Sequence, residues 1–169
     1  MKKNILSYFA LFLCISVSSC SSENEIIDKD TQIERCIGTV EFITSLNDIS
    51  ISTKTVNIED EKAKVPAIVE ASIEYLAKNG ISYSEFCSDK TDPRIAVIAM
   101  GLAEYDQINI IQTKTSFGGC VLEAVGVKEL GKAGVKAAAK QIGKAVLKKA
   151  IPYVGWGLFA VDMVMCLAD

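Results

Sequence analysis

Cysteines are the residues of this sequence best suited to covalent chemistry. Histidine is absent from all 169 residues, which removes the commonest general base, the usual zinc ligand and every nucleophile system that depends on an imidazole. No two cysteines have the C-x-x-C spacing of a metal or redox site. We therefore expect two disulfides, with buried free thiols as the alternative and the pairing left open, among Cys36, Cys87, Cys120 and Cys166.

Carboxylates are the second set of candidates for chemistry. Glu59, Asp60 and Glu61 form an acidic run that could bind a cation or act as an acid. The run comes directly before an apolar helical pattern, and acids in the first turn of a helix usually face solvent and complement the helix dipole. We therefore predict no enzyme, no metal site and no cofactor. A net charge of -3 and the lack of a recognition motif also exclude nucleic acid as an expected partner.

The first 20 residues predict an export signal. Two lysines precede an apolar run, residues 5–17, that is too short to span a membrane as a mature helix. The run ends in Val17-Ser18-Ser19-Cys20, which resembles the lipobox of bacterial lipoproteins. The resemblance implies that Cys20 is acylated and becomes the mature N-terminus. The alternative is ordinary signal-peptide cleavage beside a coincidental cysteine.

The residues after Cys20 look like those of lipoproteins that are sent to the outer membrane of Gram-negative cells. Position 21 is Ser rather than Asp, and an acidic stretch begins at Glu23. We expect a lipid-anchored protein of the bacterial outer membrane, displayed on the cell surface or released from it. Export also favours oxidised cysteines.

Helical periodicity predicts three helices in the first half of the mature chain. The first begins near residue 31. The second, residues 61–78, has one apolar face and stops at Asn79-Gly80, and the third uses Asp92-Pro93 as its cap and first turn. Residues 49–58 alternate apolar with polar side chains and predict either a strand or an extended loop. The predicted core face of the first helix consists of Ile33, Ile37, Val40 and Ile43.

Charge divides the mature chain into two unlike halves. Residues 21–119 carry nine basic and seventeen acidic residues, whereas residues 120–169 carry seven lysines and four acids. The expected fold is mainly α, with small disulfide-stapled helical domains. We predict a signal peptide at 1–19, a tether at 20–30, an acidic helical domain at 31–110, a linker at 111–119 and a cationic Gly/Ala/Lys-rich helical domain at 120–169.

The cationic half contains two dissimilar helical segments. An amphipathic helix over residues 127–145 is followed by an apolar segment, residues 151–168, which reaches the lower length limit for crossing a bilayer. We predict that residues 152–168 insert into envelope membranes. The alternative is that the final helix forms the core of a small bundle and the lysines its solvated face. The predicted membrane-binding residues are Lys128, Lys132, Lys136, Lys140, Lys144, Lys148, Tyr153 and Trp156.

The Gly-Ala-Lys-rich tail after Gly118-Gly119 resembles peptide bacteriocins, whose double-glycine leaders precede cationic amphipathic segments. Together with the lipoprotein start, it looks like a lipoprotein antibacterial toxin. The resemblance implies the envelope of competing bacteria as the target and an immunity protein as a further partner. The alternative is a surface lipoprotein that acts as a binding or structural module without disrupting membranes.

The acidic half could keep such a tail inactive. Packed against the lysines, it would neutralise them and cover the apolar segment. Arg35 and Arg94 are the only arginines, and Arg94 lies in the turn-like sequence Thr91-Asp92-Pro93-Arg94. We therefore predict activation by an Arg-specific protease that cuts at Arg94. The alternative is that Arg94 simply begins a helix.

Overall fold

The computed structural model describes residues 29–51, 58–111, 120–127, 130 and 134–168. The mainly helical fold is confirmed. The described segments contain no strand, and those residues of the predicted strand that they include, 49–51 and 58, are helical. Residues 52–57 lie outside the described part. The elements are α1 (Lys29–Ile51), α2 (Ile58–Lys78), a 3-10 helix (Tyr83–Glu85), α3 (Arg94–Ile111), α4 (Cys120–Val125), α5 (Val135–Leu147) and α6 (Tyr153–Ala168).

Helix α3 forms the centre of the bundle. Every residue from Ile95 to Asp106 is buried, and α1, α2, α4, α5 and α6 all pack against this helix. Aliphatic residues, alanine and glycine fill most of these positions, as suits a helix that is enclosed on all sides. The start of α3 matches the predicted cap, because the Asp92 carboxylate accepts the backbone N–H of Arg94 at 2.9 Å and Pro93 directly precedes the first helical residue.

Helix α2 buries its apolar face and ends where the sequence predicts. Ile68, Val69 and Leu76 are at most 3% exposed. At the C-terminus, Gly80 has a φ of 67°, and the N–H of Ile81 donates to the carbonyl of Leu76 at 2.9 Å. This left-handed turn satisfies a terminal carbonyl, and glycine adopts it without the steric cost that other residues meet.

The predicted core face of α1 has the wrong phase. Ile33 and Ile37 are 47% and 39% exposed. Apolar residues are spread around α1, so periodicity alone marks no clear face, and the true buried stripe contains polar residues. Phe42 stacks on Tyr75 of α2 with a centroid separation of 4.4 Å, which favours the observed orientation. The buried positions are Cys36, Thr39, Phe42, Leu46 and Ser50.

The acidic and cationic halves share one hydrophobic core. Buried side chains of α1, α2 and α3 belong to the same cluster as those of α4, α5 and α6. The predicted linker therefore does not separate two cores, and its residues 112–119 lie outside the described part. The predicted continuous helix from residue 127 is wrong, because α4 ends before Gly126, whose φ is 82°, and α5 begins at Val135.

Two helical glycines with opposite surroundings test this packing. A Cβ at Gly143 in α5 would lie 2.6 and 2.7 Å from ring carbons of Phe86, whereas one at Gly38 in α1 would meet nothing within 4 Å. We expect Gly143→Ala to lower the free energy of unfolding by about 1–3 kcal/mol, because the ring must shift. Gly38→Ala should raise it by roughly 0.5–1 kcal/mol through helix propensity. Urea unfolding measures both, and a stabilising Gly143→Ala would contradict the contact with Phe86.

Candidate membrane-binding surface and its buried supports

The lysine row of α5 lies on the outside of the bundle. Lys136, Lys140, Lys144 and Lys148 are exposed, whereas Lys128 and Lys132 lie outside the described residues. Lys140 Nζ lies 3.9 Å from a carboxylate oxygen of Glu85, and no other ion pair between described side chains joins the two halves. The contacts between the halves are therefore mostly apolar. The buried face of α5 carries Ala138, Ala139, Ile142, Gly143 and Val146.

The two aromatic residues predicted at a membrane interface have opposite environments. Tyr153, in the first turn of α6, is 56% exposed, and its hydroxyl donates to the carbonyl of Thr91 at 2.8 Å. Trp156 is 2% exposed, and its ring meets that of Phe159 edge to face at 5.6 Å. Trp156 is a core residue in this structure, because Trp156 and Ala160 lie on the stripe of α6 that faces the other helices, and its position at a membrane interface stays a prediction.

Helix α6 is built into the bundle. It packs against α1, α2, α3 and α4. The approach to α2 is close, since a Cβ at Gly157 would lie 3.2 Å from Cγ2 of Val65. Asp162, its one charged residue, is exposed. Insertion of α6 into a bilayer would thus require it to leave the core. Among the helices that the structure describes, none combines the length and apolar character that a membrane crossing needs.

The turn between α5 and α6 exposes a surface that is both apolar and cationic. We call it the elbow patch, and it consists of Lys144, Leu147, Lys148, Lys149, Pro152, Tyr153 and Val154, all exposed. Leu147 and Val154 are 39% and 58% exposed. Sequence reasoning missed both as surface residues because they lie in apolar runs. The signal that could have found them is the helix break at Pro152.

The cysteines pair differently from the prediction at two positions, Cys36 and Cys87. Cys120 in α4 and Cys166 in the last turn of α6 form a disulfide, with their Cα atoms 6.5 Å apart. Cys36 is also disulfide-bonded. Cys87 is a free buried thiol, so its predicted disulfide role is wrong. Its thiol lies next to Asp92, and burial, with that carboxylate adding to the effect, raises its pKa to about 11. Cys20 lies outside the described residues.

Arg94, the predicted cleavage site, is the first residue of α3. Its Nε lies 3.0 Å from both carboxylate oxygens of Asp92. Burial opposes the ionisation of Asp92, but the guanidinium and backbone N–H of Arg94 outweigh it and lower the pKa of this carboxyl. Since proteases cut exposed and mobile backbone, cleavage here requires the first turn of α3 to unwind. Cleavage at Arg94 stays a prediction.

A buried charged network connects α1, α2 and α3. Asp106 is fully buried and forms an ion pair with Arg35. The hydroxyl of Tyr75 donates to Asp106 at 3.1 Å and lies 3.1 Å from the hydroxyl of Thr39. Burial raises the pKa of Asp106, although the charge of Arg35 opposes this. The network holds together the three helices that cover α6.

A second buried carboxylate connects the two halves of the chain. Glu104 of α3 accepts the backbone N–H of Leu122 at 2.7 Å and that of Val121 at 3.4 Å. It thereby caps α4, whose first N–H groups have no partner within the helix. Burial raises the pKa of Glu104 above its ordinary value of 4.5, even though these N–H groups favour the ionised form.

The raised pKa of Glu104 predicts a pH dependence of stability. Because the folded protein holds this proton more tightly than the unfolded chain, the contribution is fully present below pH 4.5 and is lost as pH rises through the folded pKa. Glu104→Gln removes the titration. We therefore expect the wild type to gain stability relative to this variant as pH falls from neutral towards the ordinary glutamate pKa. Urea midpoints across that range measure the difference, and a difference that is constant with pH would contradict the prediction.

The described residues form an open groove of about 860 Å³. It lies between the outer face of α1 and the N-terminus of α5, and its lining includes Arg35, Ile37 and Val135. Charged and apolar side chains line it together.

In the acidic run at the start of α2, Glu59 is exposed and Asp60 and Glu61 are half-buried, and Lys62 Nζ lies 3.3 Å from a carboxylate oxygen of Glu59. In the part of the chain that the structure describes, no three His, Cys, Asp or Glu side chains cluster closely enough to hold a metal ion.

The fold and surface together define an α-helical bundle with a cationic, partly apolar tip. No protein-family model matches the chain, and no curated protein or solved structure matches it significantly.

Proposed function

We propose that this protein is a lipid-anchored, bacteriocin-like antibacterial toxin of the bacterial outer membrane, here in its closed form. Cys20 carries the lipid, and α5 and α6 act on the envelope of competing bacteria. The supporting observation is the position of α6, since this apolar helix is packed against α1, α2 and α3 while the lysines of α5 remain exposed. An apolar helix held in this way cannot enter a bilayer until the acidic half separates from it.

In this proposal the acidic half masks α6 mainly by burying its apolar side chains and less by neutralising charge. Each large apolar side chain that α6 keeps from water stabilises the closed form by about 1.5–3 kcal/mol. Release therefore needs a trigger, and an Arg-specific protease that cuts the covering helices apart at Arg94 would supply it. Cleavage there would separate α1 and α2 from the fragment that carries α3, α4, α5 and α6, and the Cys120–Cys166 disulfide lies entirely within this fragment. An immunity protein would protect the producing cell after release.

Dye release from anionic lipid vesicles tests the proposal. The protein is the mature chain, residues 20–169, with Cys20→Ser so that no lipid anchor contributes, with Cys36→Ser, and with the Cys120–Cys166 disulfide formed. We expect no leakage from the uncut protein and leakage after treatment with an Arg-specific protease. Killing of related bacteria by the cut protein would then be measured.

Arg94→Lys is the matched control, because it keeps the positive charge beside Asp92 but removes the predicted site of an Arg-specific protease. This variant should stay inactive after the same treatment. Leakage from the cut variant would move the site to Arg35. An absence of leakage and killing from both cut proteins would overturn the toxin proposal.

A binding module is the second candidate, favoured by the groove along α1. In that case α6 is a permanent core helix and the groove holds a partner. The distinguishing result is a protein that stays inert towards vesicles, cut or uncut, and keeps its helical content and cooperative unfolding after cleavage.

A further inference from the structure

We infer that the elbow patch docks the closed, uncut protein on anionic lipid headgroups before α6 is released. The inference rests on the proposed function only in taking a membrane as the target. Docking itself requires neither cleavage nor insertion, because every member of the elbow patch is already exposed in the closed structure.

The composition of the elbow patch suits a membrane surface. Lys144 and Lys148 lie within one turn of Leu147, so charge and apolar surface occur side by side. In sequence, no acid occurs between Glu129 and Asp162. Basic side chains near anionic headgroups and apolar side chains at the acyl boundary are the two contributions that hold amphipathic segments at an interface.

Contacts with the rest of the bundle hold the elbow patch in place. Besides the bond from Tyr153 to Thr91, Lys149 Nζ donates to the carbonyl of Ala124 at 2.6 Å. The first contact spans 62 residues of sequence and the second 25. Because these contacts fix the turn before any membrane is met, little conformational entropy remains to be lost on docking.

Asp89 lies close to the elbow patch, because it contacts Thr91, whose carbonyl accepts the Tyr153 hydroxyl, and its position is compatible with docking. Its carboxylate accepts both the backbone N–H and the hydroxyl of Thr91 at 2.8 Å. Hydrogen bonds from Thr91 lower the pKa of Asp89, so this carboxylate is ionised at neutral pH. Its charge is opposed by three lysines of the elbow patch, which leaves the tip cationic.

Co-sedimentation with vesicles measures the docking. The probe is vesicles of equal parts phosphatidylglycerol and phosphatidylcholine, and the protein is the uncut mature chain with Cys20→Ser and Cys36→Ser. Lys144→Gln with Lys148→Gln should weaken binding about twenty-five-fold, because each lysine near an anionic surface contributes about fivefold. Leu147→Gln with Val154→Gln should weaken it about tenfold by removing apolar contact.

The matched control is Lys62→Gln with Lys78→Gln. Both lysines are exposed and lie in ion pairs on α2, and the change in net charge equals that of the elbow variant. We expect at most about a twofold effect, because salt screens charges that are far from the contact surface. Equal weakening by the two lysine pairs would overturn the inference, and so would equal binding of the wild type to pure phosphatidylcholine vesicles.

Trp156 distinguishes docking from release of α6. It is the single tryptophan of the chain and is 2% exposed. Docking through the elbow patch leaves its fluorescence unquenched by brominated lipids. Quenching in the uncut protein would overturn docking in the closed form. Sedimentation without vesicles measures self-association. If the elbow variants changed self-association but not vesicle binding, the elbow patch would bind a second copy of the chain, and docking on lipid would be overturned.

The toxin proposal and the docking inference can be overturned by different results. Vesicle binding by the uncut protein with no leakage after cleavage would support docking and overturn the toxin. Leakage after cleavage, with no binding before it, would overturn docking and leave the toxin supported.

Discussion

Replacing Asp106 with leucine is expected to lower the free energy of unfolding by about 3–5 kcal/mol. The substitution removes the partner of the Arg35 guanidinium, whose side chain is only 22% exposed, and an acceptor of the Tyr75 hydroxyl. The loss arises because a largely buried charge remains without its counter-charge, and water cannot fully replace the carboxylate. Urea unfolding followed by circular dichroism measures the change.

The double variant Arg35→Met with Asp106→Leu is the decisive comparison. It removes both charges and keeps apolar volume, and replacing a buried ion pair in this way is often neutral or stabilising. We therefore expect the double variant to be more stable than either single variant. If the double variant lost as much unfolding free energy as the two single variants together, Arg35 and Asp106 would not interact in the folded protein.

Trp156→Ala is expected to destabilise the protein by about 3–5 kcal/mol through the cavity it leaves in the core. The indole is buried, and its edge-to-face contact with Phe159 would be lost as well. If Trp156 were instead an exposed anchor for membranes, the same change would barely affect stability and would weaken vesicle binding.

Tyr153→Ala, three residues earlier on α6, is the matched control. Its ring is 56% exposed, and its main described contact is one hydrogen bond to Thr91, so we expect a loss of about 1 kcal/mol. Circular dichroism follows unfolding in both variants. Comparable losses from the two substitutions would contradict the inward orientation of Trp156.

Destabilising α6 in this way also bears on the proposed function. If α6 is masked by burial, Trp156→Ala should increase the fraction of molecules in which α6 has left the bundle. Vesicle leakage from the uncut protein should then rise, despite the loss of an aromatic side chain. A permanent core helix would lose stability without any gain of leakage. The same variant therefore separates the toxin from the binding module.

Local signals in the sequence predicted the parts of the fold that depend on neighbouring residues. The Asp92 cap of α3 and the Gly80 stop of α2 are encoded within a few residues, and both are confirmed. The phase of α1 was predicted wrongly, because its buried stripe is chosen by contacts such as that of Phe42 with Tyr75. Periodicity cannot show which side of a weakly amphipathic helix meets a partner.

The buried charges and the elbow patch also depend on contacts between distant residues, which local sequence signals do not reveal. Arg35 and Asp106 are 71 residues apart, and nothing in either neighbourhood indicates that they pair. Lys144, Lys148 and Tyr153 of the elbow patch were named as candidates from the sequence, whereas Leu147, Lys149 and Val154 were not, since the exposure of Leu147 and Val154 depends on how α5 and α6 meet. The burial of Trp156 in this structure was not foreseen for the same reason.

The disulfide between Cys120 and Cys166 also gives the C-terminal half an unusual chain topology. The bond closes a covalent ring that contains all of α5, the elbow patch and most of α6. A single backbone cut anywhere inside this ring opens it without detaching any segment. If α5 unwinds locally and a lysine-specific protease cuts it once, the two parts stay joined through the disulfide. Only a second cut inside the ring can release a fragment of this half.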